Sequence, residues 1–87
     1  MYYIQNKEVI QSRVGDEVVM LDVESGYYFG LNSVASVIWD MMKDKIELNS
    51  LVENLMKEFD VDKATCELDT LELLEEMKAK KIIRTVE

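Results

Sequence analysis

The side chains that carry most enzyme chemistry are nearly absent from this sequence. There is no histidine, and the single cysteine, Cys66, has no partner for a disulfide and nothing nearby to make it a nucleophile. The usual zinc sites and the Ser-His and Cys-His pairs are therefore excluded, and no glycine-rich phosphate loop occurs. The carboxylates read as surface residues. The expectation is a protein that is not an enzyme and holds no metal and no cofactor. What remains is recognition by shape and apolar contact, and one stretch suits it. The run Leu21-Asp22-Val23-Glu24-Ser25-Gly26-Tyr27-Tyr28-Phe29-Gly30-Leu31-Asn32 places three aromatic side chains in succession between a glycine turn and the start of a helix. In a pleated strand Tyr27, Phe29 and Leu31 share one face and Tyr28 points to the other. At a sheet edge, some of these rings would serve the core and others would shape a pocket.

The elements that must position this run can be read from hydrophobic patterning. Strand character extends from Glu8 to Leu31: Val9-Ile10 and Val14 flank polar Gln11-Ser12-Arg13, followed by Glu17 to Val23 and then Tyr27 to Leu31. Gly15-Asp16 and Glu24-Ser25-Gly26 supply the turns, the second with Gly26 at a left-handed position. A three-stranded antiparallel meander results. Its middle strand is apolar at both registers, and residues 27–31 form an edge.

Three helices follow. Asn32 or Ser33 caps the first, with Val34, Val37, Ile38 and Met41 as its stripe, widened by Ala35, Trp39 and Met42. The second starts between Glu47 and Ser50 and turns Leu48, Leu51, Val52, Leu55 and Phe59 inward. Ser50-x-x-Glu53 has the form of a capping box, while Leu48 argues for an earlier start. Asp62 caps the third helix, roughly Lys63 to Lys80, with Val61 placed against Cys66. On this helix Ala64, Leu68, Leu71 and Leu74 are read as the core stripe. Cys66, Thr70, Leu73 and Met77 form a second cluster nearly opposite Leu68, either packed beneath the sheet or open as a wall. Ile82-Ile83 would add an extended tail against the core.

Size and charge bound the function. Eighty-seven residues make one domain, residues 1–87, too small for a cleft between domains. The hydrophobic share of 48% beside 32% charged residues is that of a folded domain rather than a disordered one. The net charge of −8 disfavours nucleic acid and anionic membranes as partners. The first residues lack the basic start and apolar run of a signal peptide, and no stretch is long enough to span a membrane, so a cytoplasmic location is expected.

The order of elements and the residues Leu21-Asp22, Ser25-Gly26-Tyr27-Tyr28-Phe29-Gly30-Leu31-Asn32, Ala35 and Ile38-Trp39, followed by a helix ending Glu58-Phe59-Asp60-Val61-Asp62, resemble the PqqD-like family. This family is named for a protein of pyrroloquinoline quinone biosynthesis and includes stand-alone leader-binding proteins of lasso-peptide pathways. The likeness covers about residues 8–84. It implies an α+β, winged-helix-like domain, a three-stranded antiparallel N-terminal sheet followed by three helices. It also implies a recognition element for the leader of a ribosomally made precursor peptide, which would pass the precursor to a modifying enzyme or leader protease. In such domains the leader adds as a strand to the third strand and lies in a groove against the third helix. Carried onto this chain, the peptide-binding residues are Tyr27, Tyr28, Phe29, Gly30 and Leu31 on the strand, with Thr70, Leu73 and Met77 as the wall. Two positions depart from the family's habit: Tyr27, often polar or basic, and Glu47, often Thr.

Beside the wall stand Asp69, Glu72 and Glu76, with Asp69 the nearest candidate for a basic leader residue. A winged-helix shape also suggests DNA binding, but Asp62, Glu67, Asp69, Glu72, Glu75 and Glu76 outweigh Lys63, Lys78 and Lys80 on the helix that would have to enter the groove. The competing reading is a general protein adaptor that binds no leader. The open edge strand also offers a route to dimerisation.

Overall fold

The computed structural model describes all 87 residues, in the order β1 (Tyr2–Gln5), β2 (Gln11–Val14), β3 (Glu17–Leu21), β4 (Tyr28–Leu31), α1 (Ser33–Met41), α2 (Leu48–Glu58), α3 (Lys63–Ala79) and β5 (Ile83–Val86). The expected meander is present as an antiparallel sheet ordered β2-β3-β4. Gly15, at φ 63, opens the two-residue turn between Val14 and Glu17, and Gly26, at φ 78, closes the loop before β4. Both values lie where a side chain is disfavoured, so glycine suits both turns.

A second sheet joins the chain ends. β1 pairs with β5 from Tyr2 opposite Val86 to Gln5 opposite Ile83. The tail after Ile82 was expected against the core, but the N-terminal partner strand was not foreseen. The chain reaches β5 through a tight helix end: Lys81 sits at φ 63, its N–H donates to the Lys78 carbonyl, and the Ile82 N–H donates to the Met77 carbonyl. That bonding pattern is a Schellman motif, with lysine where glycine is usual. Met77 and Ile82, the apolar pair that accompanies the motif, are both buried.

One core lies between the β2-β3-β4 sheet and the helices. Val18, Met20 and Leu31 meet Ala35, Ile38, Trp39 and Met42 of the α1 segment, and Leu51, Val52 and Leu55 close it from α2. Asn32 caps α1, its side chain accepting from the Ala35 N–H at 2.9 Å. α2 starts at Leu48 after Glu47 with no side-chain cap bond, so the Ser50–Glu53 box is not used. Trp39 ties the layers together. Its indole N–H donates to Gln11 at 3.0 Å, and its carbonyl accepts from the Gln5 amide at 2.7 Å.

The third helix turns the other way from the expectation. Cys66, Thr70, Leu74 and Met77 are buried, whereas Leu68 is 69% exposed and Leu71 also faces solvent. At about 100° per residue, Leu74 lies roughly 120° from Leu68 but only about 60° from Met77. It belongs with the second cluster, and that cluster is the core face. Burial follows the side facing α2 and β5, and the apolar residues of α3 are spread too evenly around it for composition to reveal that side.

Candidate functional site

β4 pairs on one side only, with β3, in the register Leu21–Tyr28 to Val18–Leu31. The Asp22 N–H donates to the Tyr27 carbonyl at 2.9 Å, which fixes the phase of the ladder. Pairs alternate along antiparallel strands, so Phe29 and Leu31 direct their backbone groups toward β3, and Tyr28 and Gly30 direct theirs outward. The free edge therefore offers two N–H donors and two carbonyl acceptors at one strand spacing.

The side chains sort by the same alternation. Leu31 is buried and Phe29 is half-buried against the core, while Tyr28 is 67% exposed on the outer face. Tyr27, which precedes the strand, is exposed as well. The Lys80 ammonium stands 4.6 Å from the centre of the Phe29 ring, a cation over an aromatic face that links the last turn of α3 to the strand.

Where β4 runs into α1, an apolar pocket of about 280 Å³ opens toward α3. Asn32, Val34 and Ile38 form one side, Leu55 and Phe59 the end, and Asp69, Thr70 and Leu73 the α3 side. Three of the four expected α3 residues thus meet in one place. Leu73 is half-buried, Thr70 lies at the floor with its hydroxyl 3.9 Å from the Cys66 sulfur, and Asp69 supplies an exposed carboxylate. Met77 does not stand in an open wall: at 2% exposed it is core. Val34, Ile38, Leu55 and Phe59 also line the pocket, although their helical spacing is that of stripes facing a core and carries no sign of it. Val34 at 46% exposed is half outside that core.

A larger cleft, about 650 Å³, lies at the other end of the sheet between residues 6–10, the end of β3 and the last turn of α3. It is charged with both signs: Lys7, Lys80, Lys81 and Arg84 face Glu8, Asp22 and Glu24, and Lys81 bonds Glu24 at 3.0 Å. Eight of the 11 residues around the smaller pocket are hydrophobic against 6 of 14 around the cleft, so the smaller one is the better anchor for an apolar side chain.

Two carboxylates near these features hold fixed local structure. Asp62 accepts from the Thr65 N–H at 3.0 Å as the cap of α3, and that bond draws its pKa below the ordinary carboxylate range. Asp22 accepts from the Glu24 N–H at 3.0 Å with the same effect, shaping the loop that delivers β4. No group of acidic or cysteine side chains is arranged to hold a metal ion, and no helix is long and apolar enough to cross a membrane.

Comparison with known proteins bears on this geometry. The family pattern described as coenzyme PQQ synthesis protein D (PqqD) matches residues 17–83. Among solved structures, TbiB1 in complex with the TbiA(beta) leader peptide is 28% identical, with a TM-score of 0.83 over 97% of this chain and 98% of that one. A lasso peptide synthetase B1 complexed with the leader peptide shares the fold at 23% identity and a TM-score of 0.81, covering 95% of this chain and 98% of that one. No curated protein matches the chain.

Proposed function

The chain belongs to the PqqD family, and we propose that it is a non-catalytic recognition element for the leader segment of a ribosomally made precursor peptide. The leader adds as a strand to the free edge of β4, and its side chains enter the groove between that edge and α3. The bound precursor is then presented to a modifying enzyme or leader protease in the cytoplasm. The observation that carries this reading is the unpaired edge of β4 running directly into an apolar pocket closed by α3. The likeness to TbiB1, solved with a leader peptide, supports it.

The energetics assign roles to the two parts of the site. The outward groups of Tyr28 and Gly30 allow about four backbone bonds, each contributing about 0.5–1.5 kcal/mol net and none depending on leader sequence. Each leader side chain buried in the pocket adds about 1.5–3 kcal/mol. Micromolar affinity corresponds to about −8 kcal/mol after the cost of immobilising the peptide, so backbone pairing alone falls short. Selectivity therefore resides in the pocket formed by Val34, Phe59, Thr70 and Leu73.

Calorimetry with a synthetic leader of the precursor encoded alongside this protein tests the reading. Binding at micromolar strength or better is expected without metal or cofactor. An absence of binding here, with full binding by the modifying enzyme alone, would reject it.

A further inference from the structure

Gly30 occupies β4 without a reason in the free fold. Its φ is not in the positive range, and a Cβ built on it would meet nothing within 4 Å. Glycine weakens a strand interior and usually marks a bend, a bulge or a close approach by something outside the strand. β4 pairs with β3 residue for residue from Leu21–Tyr28 to Val18–Leu31, so no bulge explains it. A close approach remains.

The register shows what lies around the bare position. Met20 and Phe29, and Val18 and Leu31, turn inward as pairs, so Val19 and Gly30, and Leu21 and Tyr28, share the outer face. The backbone groups of Val19 and Gly30 point away from each other, the arrangement that brings two facing side chains closest. With glycine there, Val19 lacks its cross-strand neighbour and is only half-buried. Tyr28, 67% exposed, stands two residues along on the same face, and Leu21 lies diagonally across. Gly30 is thus a gap among Val19, Leu21 and Tyr28, open toward the free edge.

A strand added to that edge sets one residue directly beside Gly30, about 5 Å away and with its side chain on the same face, whichever way the strand runs. We propose that Gly30 is a specificity-determining position of the leader site: the leader residue beside it is large and apolar, and its side chain lies across the glycine onto Val19, flanked by Tyr28. Leader recognition at β4 is the premise, and the glycine adds a second selective contact on the face opposite the pocket. The two leader side chains concerned are therefore separated by an odd number of residues.

Gly30→Val and the milder Gly30→Ala test this in the whole protein, with a synthetic leader and a set of leaders carrying alanine at each position in turn. Melting temperatures equal to or above that of the unaltered protein are expected, with leader binding at least tenfold weaker for Gly30→Val and a smaller loss for Gly30→Ala. At one leader position, an odd number of residues from those that enter the pocket, alanine should weaken binding to the unaltered protein. The same alanine leader should bind Gly30→Val more tightly than the original leader does. An added side chain and a removed one then compensate, which a general disturbance of the strand would not produce. Full-strength leader binding by Gly30→Val overturns the assignment alone, and so does weakened binding that no alanine leader restores. If Gly30→Val lowers the melting temperature, Gly30→Ala carries the same comparison; a fall for both shows that the free fold needs the glycine and overturns the assignment. Failure of the unaltered protein to bind any leader overturns leader recognition, and the role of Gly30 with it.

Discussion

The backbone N–H of Val18 donates to the Ser36 hydroxyl at 3.0 Å, and that hydroxyl donates in turn to the Leu31 carbonyl at 3.1 Å. Val18 and Leu31 are register partners on β3 and β4, so a helix side chain is inserted into the sheet ladder where the edge strand ends. Ser36 is 1% exposed, so its bridging hydroxyl is shielded from solvent. The hydroxyl therefore holds α1 against the strand that presents the free edge.

Replacing Ser36 with alanine should lower stability by about 1–3 kcal/mol, the cost of leaving a buried donor and acceptor without their partner. Urea denaturation measures it. A loss below about 0.5 kcal/mol would mean that Val18 and Leu31 close directly on each other and that the hydroxyl is dispensable.

Hydrogen exchange on the edge strand should show alternation. The amides of Tyr28 and Gly30 face outward and should gain protection when leader is added, whereas those of Phe29 and Leu31 are already directed at β3 and should change little. Equal protection along 27–31 would point to general stiffening of the loop and strand rather than strand addition.

How far the sequence discloses this site depends on how local the determining interactions are. Gly26 and the Asp62 cap act within a few residues and were identifiable from their neighbours, and the α1 cap was narrowed to Asn32 or Ser33, of which Asn32 makes the bond. The free edge of β4 follows from the same short-range pattern. The face of α3 does not, because burial there is decided by contacts with α2 and β5, and exposed Leu68 is no less apolar than buried Leu74. The pairing of Tyr2 with Val86 joins residues from opposite ends of the chain and leaves no local signal. Ser36 was hidden for another reason: a polar residue on an apolar helix face gives no hint that it completes a strand ladder.

The pH dependence of stability follows from the two depressed carboxylates. Asp62 and Asp22 have folded pKa values below their unfolded ones, so their contribution is present above the ordinary aspartate range and is lost as the pH falls through that range toward the folded values. Asn can accept the same capping bond from Thr65 but does not titrate. Asp62→Asn should therefore flatten the acid limb of stability against pH, followed by urea midpoints from about pH 6 to about pH 3. An acid limb as steep as that of the unaltered protein would remove Asp62 as a contributor.

Adjacent residues on α3 should separate pocket from core. Leu74 is 0% exposed, and Leu74→Ala should cost about 2–5 kcal/mol by leaving a cavity in the only core the domain has. Met77→Glu should be at least as damaging, because it buries a charge with no partner. Leu73 is half-buried on the pocket side, so Leu73→Glu lets its carboxylate reach water through the opening while removing the apolar surface a leader side chain needs. A modest loss of stability with at least tenfold weaker leader binding, about 1.4 kcal/mol, is expected. Val34→Glu probes the opposite side of the same pocket from an exposed position in the first turn of α1, where a carboxylate is compatible with the helix dipole. It should leave the fold intact and weaken leader binding similarly. If Leu73→Glu unfolds the protein as Leu74→Ala does and Val34→Glu binds leader normally, the pocket is part of the core and the leader must be anchored elsewhere along β4.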